Sequence, residues 1–371
     1  MTGCFRGGGG LMVARVQSIS EASREEWFST AKACPYATYF HTPYWYGLIA
    51  PGQGHTALSV CFDDGASAII PIAKVKRMCG LLVDHFSSPG GTYGGWISGS
   101  ALGEGHVRAL VDVLVSKKNL TFRLNPFDGM SSSVISLLTA LSSTGSLLTT
   151  PSPAESSSIK PPAILPSTSI TITDDFTHTL DLTKGTRAIF SGLTKGHRSA
   201  IRSAARDGVT VKAAESIDEW ELYYNLYMDS VRRWRAGGPS LKPRKVYPLS
   251  LFKRIYENRT GNEILWLAVK GGEPVAGALF FYWGRHAVSW HGAAASAHFG
   301  LRPNNLLYWE ILLDAERRGY EIFDFNPSGG YGGVESFKKH FGAERAPSPV
   351  LSTRTPARAL VTRARLYLSA R

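Results

Sequence analysis

Apolar positions along this chain alternate in some stretches with a period of two and recur in others every three or four residues, which marks strands and helices respectively. Residues 13–19 read as a strand and 20–33 as a helix, with Ser20 or Ser23 at its N-cap and Glu25 and Glu26 in its first turn. Residues 56–62 and 66–75 alternate on either side of Asp63-Asp64-Gly65, the pattern of a hairpin turning at Asp-Gly. A glycine-rich loop at 88–105 follows, then a helix at 106–116 with Val107, Leu110, Val111 and Leu114 along one side. Residues 120–125 form a strand closed by Pro126. Between 149 and 169 the pattern gives way to Pro and Ser, and the domain boundary is expected there.

Past that boundary a strand starts at Thr179, and a basic helix over 195–207 ends at Gly208. Next come a strand at 209–213, helices at 217–234 and 248–258, and a second hairpin, 264–269 with 275–283, across Gly271-Gly272. The last stretch reads as strand 286–292, turn 293–303, helix 304–318, strand 321–326 and a closing helix over 334–341. Each half thus runs hairpin, glycine-bearing turn, helix and strand, and both strands end in Asn-Pro, at Asn125-Pro126 and Asn326-Pro327. A shared order with a shared terminal dipeptide implies a duplicated domain. The fold class expected is α/β (α+β), with a mixed central sheet in each half. The division predicted is a disordered start at 1–12, domains at 13–165 and 166–345, and a basic tail at 346–371. No half carries GxGxxG after a strand, and no Walker A lysine motif is present.

Candidate chemistry concentrates in the second half. On strand 321–326, alternation puts Phe323 and Phe325 on one face and Asp324 and Asn326 on the other. A carboxylate at a strand exit is paired or lines a cleft, because burial alone is costly. Asp324 is therefore either a base or a partner in an ion pair. In the closing helix, Phe337 and Phe341 lie one turn apart, and Lys338 and Lys339 flank that anchor. One of the two lysines, pointing into a cleft beside Asp324, would stabilise an oxyanion in acyl transfer; the other reading is a solvated surface. Arg302, Asn304 and Asn305 lead into the helix at 304–318, where free backbone N–H groups either hold an anion or are simply capped. Trp290-His291 closes a strand, with His291 a candidate base or a packed aromatic neighbour. Lys195, Arg198, Arg202 and Arg206 form one stripe, which matches a phosphate backbone or a solvated face. The aromatic run at 35–47, with Trp45, lines a cleft or packs in a core. No metal-ligand spacing and no Ser-His-Asp or Cys-His arrangement stands out.

Composition narrows the partners. The 371 residues carry a formal net charge of +12, which favours anionic partners such as nucleic acid, a nucleotide-linked substrate or an anionic membrane face. Cys4, Cys34, Cys61 and Cys79 show no paired spacing, which points to a reducing compartment. No apolar run approaches the ~18 residues of a membrane span, and the start lacks a signal-peptide core. A cytoplasmic protein is expected, beginning at Met1 or at Met12.

The order Leu180-Asp181-Leu182, KGHRSAIRSAARDGV at 195–209, SWHGA at 289–293, P-x-x-L-L-x-W-E at 303–310, ERRGYEIFDF at 316–325 and FKKHFG at 337–342 resembles the FemAB/FemX-like peptidyltransferases, and also the related GNAT-fold acyltransferases of cellulose and exopolysaccharide clusters. The resemblance implies two tandem GNAT-like domains and transfer of an aminoacyl or acyl group to an amine. It places Phe337 and Lys338 at the active site, with the lysine serving the transfer step, and matches 195–206 to a basic family segment. Among binding residues it adds Trp45 and Trp290 to Lys195, Arg198, Arg202, Arg206, Arg302, Asn304 and Asn305; the catalytic set is Lys338, Asp324, Phe337, Asn326 and His291. The donor implied is aminoacyl-tRNA or acyl-CoA, with no further cofactor. The acceptor is an amine-bearing envelope precursor or a small molecule, with tRNA and the inner membrane surface as further partners. Three positions depart from the pattern: Gly47 follows Trp45 where the family has a lysine, Asn125 stands for a family acid, and Tyr247 for a nucleotide-contacting arginine. The long coiled-coil arm of some members is missing. The turn at 300–305 has one glycine where a CoA-binding turn has several, which favours aminoacyl-tRNA over acyl-CoA. A third reading is a non-catalytic module that binds RNA or the envelope.

Overall fold

The computed structural model describes residues 14–49, 54–87, 89–130, 132–137, 169–236, 246–358 and 360. The expected disordered start, nearly all of the Pro/Ser boundary, the Gly237-Gly238-Pro239 loop and the end of the basic tail lie outside these residues.

The hairpins form where the alternation and turn chemistry place them. β2 (His55–Phe62) and β3 (Ser67–Arg77) pair antiparallel, with Gly65 at φ 87° and Asp64 Oδ1 accepting the Ala66 N–H at 3.0 Å in the turn. In the second half β9 (Glu263–Lys270) and β10 (Glu273–Trp283) turn on Gly271 and Gly272, both at positive φ. Helix α1 (Arg24–Ala33) starts at Ser23, whose side chain accepts the Glu26 N–H, and the short helix α2 (Pro43–Ile49) follows it.

The remaining strands are β1 (Val16–Glu21), β4 (Leu82–Phe86), β5 (Leu120–Arg123), β6 (Ser169–Thr173), β7 (Phe176–Asp181), β8 (Val209–Ala213), β11 (His286–Ala294), β12 (Ile322–Asp324), β13 (Glu344–Pro347) and β14 (Val350–Arg354). They build two seven-stranded sheets, in the orders β1-β2-β3-β4-β5-β14-β6 and β8-β9-β10-β11-β12-β7-β13. The two orders correspond position by position. Each sheet has one parallel pair, β4 with β5 and β11 with β12, and the other neighbours are antiparallel. The architecture is α+β with two mixed sheets, and the duplication inferred from Asn-Pro is present in the topology.

The halves are also interlocked. β7, which follows the first half in sequence, sits in the second sheet, and β14, at the end of the second half, fills the equivalent place in the first. Cuts at 165/166 and 345/346 therefore do not separate the sheets, since Ser169–Thr173 and Val350–Arg354 both belong to the first. The segment expected as a basic tail begins with a core strand: Leu351 is buried and Arg354 donates to Leu120 O.

Three apolar clusters result. One lies between the first sheet and helix α3 (Glu104–Val115) and includes Phe62, Leu110 and Phe122. A second lies between the second sheet and the helices Lys195–Arg206 and Pro303–Arg317. The third joins the halves and holds Trp45, Tyr46, Trp220, Tyr223, Phe281 and Trp290. This apolar seam fixes the second half against the loops of the first. Tyr39 reinforces it by donating to Glu263, whose other oxygen accepts the Thr260 N–H at 2.7 Å.

Candidate active site

β12 carries the centre of the site. Alternation sends Phe323 into the second cluster with Phe280, and Asp324 to the opposite face, beside Val288 in register. Asp324 is fully buried. Its Oδ1 accepts the Thr177 hydroxyl and the Asn326 N–H, the latter at 2.8 Å, and the Tyr93 hydroxyl lies within reach of the carboxylate. Tyr93, from the first half, is buried beside the same carboxylate; burial and then the Asp324 charge hold its phenol well above the usual range.

The chain leaves β12 through Asn326 at φ 61°, a left-handed conformation that asparagine tolerates better than most residues. That turn presents the Asn326 carbonyl to Lys338 Nζ, which donates to it. Lys338 lies on helix α4 (Gly332–His340) and is only 4% exposed. Burial pushes its ammonium down to about 8, against the opposing pull of Asp324, Glu335 and Asp175. Burial also raises the Asp324 carboxyl, partly offset by Thr177, Tyr93, the Asn326 amide and Lys338. Of the two lysines flanked by the phenylalanines, Lys338 is the inward one. Lys339 pairs with Glu335 one turn back at 2.7 Å.

Two groups of this cluster escaped the sequence reading. His178, on β7, is buried, and neither ring nitrogen has a partner; burial and then the Lys338 charge take its pKa down to about 4, so the ring is neutral. Its signal was a histidine between two threonines leading into Leu180-Asp181-Leu182. Tyr93 had none, since nothing local ties it to a strand more than two hundred residues away. Ser328 Oγ and Asn326 Oδ1 are also buried without partners. Buried polar atoms are normally satisfied, so a concentration of open donors and acceptors around one lysine marks a place built to meet a ligand or water.

Phe337, next to Lys338 on the same helix, packs toward two other helices. Its ring lies 5.4 Å from Tyr308 and 5.4 Å from His197, at the starts of two helices: α5 (Lys195–Arg206) and α6 (Pro303–Arg317). Arg302 caps α6 at φ 51° with no side-chain capping bond, and Pro303 occupies the first helical position. Arg302 is exposed, Asn304 and Asn305 are half-buried, and the Arg302 charge reaches His197. The segment at 302–305 thus lies near the start of α5.

The structure gives other anticipated residues packing work. His291 is enclosed by Tyr223, Tyr227 and Phe252; its Nδ1 meets Tyr223 Oη at 2.5 Å, and burial takes its pKa to about 3. A bulge in β11 puts Leu279 opposite His291 and Phe280 opposite Ser289, so that both Trp290 and His291 reach the aromatic seam. Trp45 and Trp290 are 5.3 Å apart, and their indoles donate to Pro89 O and Gly90 O. Gly90, at φ 80°, is needed there: a Cβ would lie 2.8 Å from the Trp45 ring. Tyr247 donates to the same Gly90 carbonyl at 2.9 Å.

The basic stripe is divided as well. Arg198 donates to Ser191 O at 3.0 Å and to Leu193 O, Arg202 stacks on Phe190 at 5.4 Å, and Lys195 and Arg206 are exposed. Arg198→Ala is expected to lower stability by ~1 kcal/mol, read as a reduced urea midpoint, through two uncapped carbonyls. Its effect on any anion binding will be smaller than that of Lys195→Ala.

Residues 192–339 match the protein family described as an acetyltransferase (GNAT) domain, which spans α5, α6 and Lys338. Among solved structures, FemX resembles the chain with a TM-score of 0.63 at 12% identity, over 90% of this chain and 97% of that one. A conserved protein of unknown function from Bacteroides thetaiotaomicron gives 0.51 at 10% identity, over 92% and 100%. L-PGS from Bacillus licheniformis gives 0.47 at 12%, over 83% and 88%. No curated protein matches at the level of sequence. The likeness to FemX extends over both sheets and establishes a tandem GNAT-like fold. Among the described residues, no helix is long and apolar enough to cross a membrane.

Proposed function

We propose that this chain, a FemAB-like protein built on two GNAT-type folds, is an N-acyltransferase working in the cytoplasm. It moves an aminoacyl or acyl group onto the amine of an envelope or exopolysaccharide precursor, or of a small-molecule acceptor. The observation that carries the reading is Lys338: a buried ammonium, held by a strained strand exit, among open polar atoms and inside the GNAT-matching segment.

In this reading the donor carbonyl lies beside Phe337 with its oxygen toward Lys338 Nζ. The acceptor amine attacks the carbonyl carbon, a C–N bond forms, and negative charge develops on the oxygen. Lys338 stabilises that charge in a setting with little competing water. Collapse breaks the C–O bond of an aminoacyl ester, or the C–S bond of a thioester, and the amine proton passes through water to the leaving oxygen or sulfur. His178, being neutral, adds no second positive charge beside Lys338. No cofactor is required.

Aminoacyl-tRNA is the first donor, supported by the net charge of +12 and the single glycine at 300–305. Acyl-CoA is the second reading, favoured by the α6 start, which no side chain caps and which offers Arg302 and backbone N–H groups to phosphate. Incubation with charged tRNA and with acetyl-CoA, each with an amine acceptor, tests both. Acceptor-dependent loss of the aminoacyl ester supports the first, and release of free CoA thiol supports the second. Salt-sensitive tRNA binding with neither donor discharged would replace both with a non-catalytic RNA-binding role.

A further inference from the structure

The β3–β4 hairpin ends in an apex unlike the other turns. Met78, Cys79 and Gly80 lie in succession at φ 48°, 54° and 93°, and L-residues seldom adopt that conformation in sequence. The turn throws the apolar side chains outward: Met78 is 56% exposed and Leu81 is 81% exposed. Cys79 between them is also exposed.

Cations line the hairpin below this apex, Arg77 next to it and Lys74 level with His85. Lys74, Lys76 and Arg77 lie on β3, and Lys117 and Lys118 lie on the turn beside it, where the Lys118 carbonyl meets the His85 ring at 3.0 Å. Lys74 and Lys117 are close enough that Lys74, after burial, depresses the Lys117 ammonium. Residues 67–86 hold one carboxylate, Asp84, which Arg77 and Arg358 share. Among the described residues, no ion pair engages Lys74, Lys76, Lys117 or Lys118.

An apolar apex in a collar of unpaired cations has the two features that anionic bilayers require together, since neither alone holds a protein stably at the interface. A single-stranded nucleic acid would call for stacking rings, and residues 74–82 contain no aromatic side chain. A second copy docked on the same apex would bring the two collars together.

We propose that the 78–81 apex is an insertion loop seating the protein on an anionic bilayer, with Met78 and Leu81 among the acyl chains and Lys74, Lys76, Lys117 and Lys118 against lipid phosphates. The inference does not depend on the transfer reaction. It is tested with the full chain and vesicles of phosphatidylcholine, with and without phosphatidylglycerol. Co-sedimentation with the anionic vesicles alone is expected, falling ~10-fold or more in Met78→Ser/Leu81→Ser. A fluorophore on Cys79, with Cys4 and Cys61 replaced by serine, is expected to shift to the blue on anionic vesicles. Unchanged sedimentation of the double variant, a label that stays in water, or an apex-dependent dimer in the absence of lipid would each overturn the proposal. Circular dichroism and turnover on a soluble acceptor are expected to be unchanged, so loss of sedimentation reports the apex and not the fold.

Discussion

Lys338→Ala is expected to cut turnover by ~10²-fold or more while leaving the fold intact. The magnitude follows from position. Among the described residues, Lys338 is the ammonium that donates to the Asn326 carbonyl, and the neighbouring Lys339 is tied to Glu335. Alanine removes the partner of the developing charge. The pH profile supplies a second readout. The ammonium must be charged to act, and burial lowers its pKa to about 8, so kcat falls as pH rises through that value. Lys338→Arg keeps a charge at all accessible pH, and its residual activity lacks this alkaline limb. Stability moves the other way. The folded pKa lies below the ordinary 10.5, so the native state binds fewer protons between about 8 and 10.5, and stability rises with pH across that window in the wild type but not in Lys338→Ala. Wild-type turnover in the alanine variant would sink the assignment.

The reach of the sequence is instructive at particular residues. Alternation placed Phe323 and Asp324 on opposite faces of one strand, and the structure has them there, because a two-residue period is a local property. The repeated Asn-Pro was a trace of equivalent strands, β5 and β12, in equivalent sheets. The strand exchange was not legible. β13 and β14 are short and pair with strands far away in sequence, so their hydrophobic pattern carries almost no signal. Trp45, Trp290 and His291 were open to two readings, and the seam between the halves fills the core one. A β-bulge turned two consecutive residues toward one cluster, which no periodicity announces. The choice between Lys338 and Lys339 rested on resemblance. In the structure it rests on the Asn326 carbonyl, set by a positive φ that Asn alone hinted at.

That same turn separates two roles for Asp324. As a base it would need to meet the acceptor amine; as a positioning group it would hold the turn and keep Lys338 charged. Its complete burial, with Oδ1 committed to Thr177 and Asn326, favours the second. Asp324→Ala strands a buried hydroxyl and a buried N–H and removes the largest influence holding the Lys338 pKa up, so a loss of ~3 kcal/mol and at least ~10²-fold in turnover is expected. Asp324→Asn distinguishes the roles. Its amide oxygen can still accept both hydrogen bonds, so the fold survives, but the charge is gone. Burial of Lys338 then acts with less opposition, and the alkaline limb of the rate profile moves below about 8. A limb that stays in place, with turnover lost at every pH, would identify Asp324 as the proton acceptor. A shifted limb with activity restored at lower pH places it behind Lys338, acting on the donor oxygen only through the lysine.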